Sequence, residues 1–70
     1  MNKYEIIIYW SREDQVFVAE VPELPGCMGH GKTKQLALEN AEEAIVLWID
    51  TANEFGDLVP EPKEQRLFYA

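Results

Sequence analysis

The amino-acid sequence predicts a small α+β protein, a two-layer β-β-β-α-β arrangement with a mostly antiparallel sheet and one long helix. Three observations predict it. Residues 3–10 and 15–21 alternate with a period of two and are rich in β-branched and aromatic side chains, as strands are. From residue 34 to 55, apolar residues recur at steps of three and four, which marks one face of a helix. The strand-like runs precede the helix and are separated from it by short polar or proline-rich breaks, so the two layers share one core. With 70 residues the chain is read as a single domain over residues 1–70. A chain of this size buries only about 60% of its unfolded surface, a thin core that association commonly supplements.

In the first run, Tyr4, Ile6, Ile8 and Trp10 point one way and Glu5, Ile7 and Tyr9 the other. Neither set is fully polar, which predicts a central strand covered on both faces. The polar break at residues 11–15 reads as a hairpin loop. The second run ends at Pro22, which has no backbone donor to continue a ladder. Residues 22–26, P-E-L-P-G, form a stiff turn, and residues 27–31, C-M-G-H-G, a short edge or bulged strand weakened by its glycines. Thr33 is the expected N-cap. Ala37, Ala41, Ala44, Ile45, Trp48, Ala52 and Phe55 form the helix stripe, broadened by Leu38 and Ile49, and the early alanines allow the helix to lie close to the sheet. Gly56 suits the position that stops a helix. A linker with Pro60 and Pro62 follows, and residues 66–69 are read as a fourth strand, for which the long helical crossover allows a parallel pairing.

Composition narrows the function classes. Six Lys and Arg against thirteen Asp and Glu give a net charge of −7. Such a surface repels a phosphate backbone, so direct nucleic-acid binding is not expected, and a basic protein is the natural counterpart. The bland alternative is that the charge serves solubility. No apolar run approaches the roughly 18 residues of a membrane helix, and the one cysteine, Cys27, implies no disulfide, so a cytoplasmic setting is expected.

Leu24-Pro25-Gly26-Cys27, then Gly31 and Thr33, then Ala37-Leu38, Ala41 and Glu43-Ala44-Ile45, closing with Gly56, Val59, Pro60 and Pro62, form an ordered set across nearly the whole chain. With the aromatic-aliphatic first strand, this set resembles the HicB-like antitoxin family. The resemblance implies a partial ribonuclease-H-like or ferredoxin-like sandwich, and dimers or tetramers. It also implies a HicA-like partner, a small basic toxin that cleaves messenger RNA through a histidine and is occluded by the antitoxin. Longer members add a C-terminal DNA-binding domain. This sequence is read as the short form, with no DNA-binding domain. It departs from a full capping box in having Leu36, not a glutamate, three residues after the N-cap.

No catalytic residue, metal site or cofactor is expected. Two-metal hydrolysis needs converging carboxylates, and the strands offer only Glu5 and Glu20. Glu39, Glu43 and Asp50 share a helix face that reads as solvated. Cys27 and His30 are too few for a metal site, so Cys27 is read as core. The G-K-T at residues 31–33 lacks the glycine of a phosphate loop. The expected function is therefore an antitoxin-type binding module; the alternative is an orphan oligomeric domain of the same HicB-like fold, with a structural or another binding role. Glu23, Leu24, Met28 and His30, on the proline turn and the strand after it, are the expected toxin contacts, and Trp10, Phe68 and Tyr69 the expected self-association residues.

Overall fold

A computed structural model describes residues 3–60. Three strands, β1 (Ile7–Ser11), β2 (Val16–Glu20) and β3 (Met28–Gly31), are followed by one helix, α1 (Lys34–Glu54). The sheet is open and antiparallel in the order β1-β2-β3, with Ile8 opposite Ala19 and Ala19 opposite Gly29. This is the α+β class read from the sequence. The expected strand at residues 66–69 lies outside the described residues.

The β1–β2 hairpin closes through a hydrogen bond from the Gln15 N–H to the Ser11 carbonyl at 2.8 Å. Gln15 itself takes a left-handed φ of 58°, and its side-chain amide donates to the Arg12 carbonyl at 2.7 Å. The proline segment then makes two successive turns. The Leu24 N–H donates to Val21, and the Cys27 N–H donates to Leu24 at 2.9 Å. In the second turn Pro25 precedes Gly26 at φ 79°, the pattern of a type II turn. Val21 and Cys27 close the pair, with N–H to O at 3.0 Å.

Thr33 is the N-cap of α1, and its hydroxyl accepts from the Leu36 N–H at 3.0 Å. The helix ends at Phe55, with Gly56 at φ 73° and the Asp57 N–H on the Ala52 carbonyl at 2.8 Å. The core lies between α1 and one face of the sheet: Ala19, Val21, Leu24, Cys27, Ala37, Ala41 and Ile45 are buried, with Ile6, Ile8, Phe17 and Trp48 packed against them.

The glycines of β3 explain the seating of the helix. A Cβ at Gly29 would lie 2.3 Å from the Ala41 nitrogen, and one at Gly31 would lie 2.6 Å from the Leu36 Cβ. The helix backbone rests directly on the strand, with Ala37 and Ala41 as its contact residues. The glycines that weaken β3 as a strand are what allow this approach.

Two expectations are corrected. Among the described residues β1 is an edge strand and β2 is central. The helix covers one face of the sheet, so Ile7 and Tyr9 remain exposed on the other, and the mixed character of β1 reflects that open face. Phe55, counted in the helix stripe, is 72% exposed, because the helix unwinds there and turns it away from the sheet.

Candidate binding surface

The pleat decides where the expected contact residues go. Residues opposite one another across a ladder share a face, so Met28, paired with Glu20, and His30, paired with Val18, point away from the helix. Both are exposed. They join Ile7, Tyr9 and Glu20 on the uncovered face of the sheet. The Tyr9 hydroxyl donates to Glu20 Oε2 at 3.0 Å. That bond, with the carboxylate charge behind it, raises the Tyr9 pKa above the ordinary phenol value. The backbone of His30 is also engaged, its carbonyl accepting from Asn40 Nδ2 at 2.6 Å, which covers part of the β3 edge.

Glu23 is half-buried, and its Oε1 accepts from the Glu5 N–H at 3.0 Å, tying the proline turn to the segment before β1. Leu24 corrects the sequence reading. It is 0% exposed and sits in the core, because the two consecutive turns point its side chain under the helix. Its position in a loop suggested exposure; its packing gives it a structural role. Trp10 is partly exposed and stacks edge-on against Phe17, with centroids 4.9 Å apart. Phe68 and Tyr69 lie outside the described residues.

A groove that the sequence reading did not single out runs beside Met28. Its volume is about 460 Å³, and it lies between the Gly26-Cys27-Met28 edge and the C-terminal half of α1, where Ala44, Leu47, Trp48, Thr51 and Ala52 face it and Asp57 closes one end. Trp48 is fixed there, its indole N–H donating to the Pro25 carbonyl at 3.0 Å. Burial pushes the Cys27 thiol pKa up, so this cysteine is a neutral wall residue. The signal in the sequence was Val46-Leu47, two large apolar residues beside the core stripe; Leu47 is 68% exposed.

The charges of α1 run against its own dipole. Lys34 opens the helix, neither an acid in the first turn nor a base in the last is present, and Glu54 and then Asp57 stand at its C-terminal end. A helix C-terminus favours cations, so this end is electrostatically unfavourable in the isolated chain. Among the described residues no group of three or more His, Cys, Asp or Glu is placed to hold a metal ion. No helix among them is long and apolar enough to cross a membrane.

The chain matches, over residues 4–68, the family described as the HicB-like antitoxin of bacterial toxin-antitoxin systems. It belongs to the HicB-like antitoxin family. The chain is 38% identical over 65 residues to a UPF0150 protein of Thermoplasma acidophilum, covering 93% of each. It is 39% identical over 57 residues to a UPF0150 protein of Synechocystis, covering 81% of this chain and 77% of the relative. No solved structure matches it. Membership supports an antitoxin role in general, with a protein toxin as the partner. The turn L-P-G-C, the Thr33 cap and the helix alanines, which suggested HicB-like character in the sequence, are the residues that build the turn, start the helix and seat it on β3.

Proposed function

We propose that this chain is the inhibitory binding module of a toxin-antitoxin pair, acting without catalysis. It occludes a small, basic, HicA-like ribonuclease that cleaves messenger RNA. The observation that carries this reading is the family match over residues 4–68. The net charge of −7 supports it, since an acidic surface both steers a basic partner and competes with the RNA that the partner binds. The exposed side chains of Met28 and His30, with Glu23 at the turn, are the contact residues this reading retains from the proline-turn region; Leu24, buried in the core, is not one of them.

Co-expression with the product of the neighbouring small basic reading frame tests the proposal. The two chains are expected to co-elute, with RNA cleavage by the basic chain lost in the complex and regained when the complex is dissociated. Absence of such a frame, or separate elution at micromolar concentration with cleavage intact, sinks the reading.

The exposed Ile7, Tyr9 and Met28 favour a second property, self-association into a dimer or tetramer across the open sheet face, whereas Trp10, beside Phe17, points to the helix side of the sheet. Light scattering on the purified chain reads this directly; a monomer at all accessible concentrations removes it.

A further inference from the structure

The groove beside Met28 has features of a receiving site that the core does not need. Its apolar wall comes from Ala44, Leu47 and Trp48 on the helix, with the Gly26-Cys27-Met28 edge opposite, and Trp48 is held in place by its bond to Pro25. A charged residue, Asp57, stands at its mouth. Along the helix, Glu43, Asp50 and Glu54 neighbour Leu47 at spacings of four, three and seven, and all are exposed, so the apolar wall is bordered by carboxylates. Of these, Glu54 stands in the last turn and Asp50 just before it, near the helix end where the dipole disfavours a carboxylate. Local choices that oppose the fold's own electrostatics mark functional surface.

We propose that this groove receives a basic amphipathic segment of the toxin partner. Apolar side chains of that segment pack on Leu47 and Trp48, and a lysine or arginine pairs with Asp57 and the C-terminal end of α1. The inference rests on the antitoxin reading and adds the surface and the chemistry of its occupant. Charge selects a basic partner over a second copy, since two copies would bring the same acidic border against itself. The described chain itself leads away from the groove. After Asp57 the chain leads to Pro60, whose carbonyl accepts from the Tyr4 hydroxyl beside the start of β1, the opposite edge of the sheet from Met28.

The test uses the full chain and the neighbouring basic toxin as probe, with the dissociation constant measured by calorimetry. Leu47→Lys and Asp57→Lys place a positive charge in and at the mouth of the groove, at exposed positions that folding tolerates. Glu13→Lys makes the same charge change as Asp57→Lys in the β1–β2 loop, at the other end of the sheet. Each groove variant is expected to weaken binding by about 30-fold or more, the scale of an interface hot spot, while Glu13→Lys stays within about threefold. Wild-type affinity in both groove variants, with the wild-type complex intact, overturns the groove and leaves the antitoxin reading standing. Equal weakening by all three variants reduces the effect to net charge and also overturns it. Leu47→Lys that lowers the free chain's thermal midpoint or dissolves a homo-oligomer, without changing toxin affinity, assigns the groove to residues 61–70 or to a second copy instead. No binding by the wild-type chain removes the antitoxin reading and this inference with it.

Discussion

A methyl group at position 29 would test how the helix is seated. The added Cβ of Gly29→Ala would lie 2.3 Å from the Ala41 nitrogen, 2.6 Å from the Asn40 carbonyl carbon and 2.8 Å from the Ala41 Cα. All three are backbone atoms in the middle of α1, so no side chain can swing aside. Restoring an ordinary contact of about 3.4 Å requires the helix to retreat by roughly 1 Å. A gap of about 0.5–1 Å forfeits a quarter to a half of the dispersion energy of each contact it opens, and it would open under Ala37, Ala41 and Ile45 together. Overpacking of this kind costs about 1–3 kcal/mol and occasionally more, and the rigidity of the obstacle places this case near 3 kcal/mol. A 70-residue chain has about 4–10 kcal/mol of stability in all, so the variant loses a third or more of it. The thermal midpoint should fall by roughly 12–24 °C. Urea and thermal unfolding, followed by far-ultraviolet circular dichroism, read this at one fixed protein concentration, because association would shift the midpoint. Gly26→Ala is the comparison. Nothing lies within 4 Å of its added Cβ, but φ is +79°, so the cost is conformational and about 1–2 kcal/mol. Gly29→Ala within about 0.5 kcal/mol of wild type, or milder than Gly26→Ala, would refute the seating argument.

Three further outcomes are expected. Leu24→Ala, at a fully buried position, should cost about 2–5 kcal/mol in urea unfolding while leaving toxin affinity per folded molecule unchanged; unchanged stability with lost affinity would return Leu24 to the interface. Thr33→Ala should cost about 1 kcal/mol by removing the cap on the Leu36 N–H, with Thr33→Ser restoring most of it; equal stability of all three proteins would show that the cap contributes nothing. Cys27 should resist thiol reagents in the folded chain at pH 8 and react promptly in denaturant. Its folded pKa is raised by burial, so its contribution to stability is complete below the unfolded thiol pKa, about 8.5, and falls as pH rises above it, while Cys27→Ala removes that slope. Labelling of the folded chain at the denatured rate contradicts the burial.

The elements themselves were legible from the sequence because each is written in local chemistry. Two alternating runs became β1 and β2, Thr33 starts the helix and Gly56 follows its end, and Leu24-Pro25-Gly26-Cys27 forms the turn its residues require. Charge and the spaced set from Leu24 to Pro62 pointed to the family and to a protein partner, since composition and turn chemistry survive without knowledge of contacts. What lies on which surface was decided only by tertiary structure. Leu24 sits in a loop yet is core, Phe55 lies on the helix stripe yet faces outward, and β1 mixes apolar residues on both faces because one face of the sheet is left uncovered. The groove is likewise assembled from residues 26–28 and 44–57, which are distant in sequence and meet only because Gly29 lets the helix backbone touch the strand. Periodicity assigns a residue to a face of its own element; whether another element covers that face depends on crossing and approach, which no local pattern encodes.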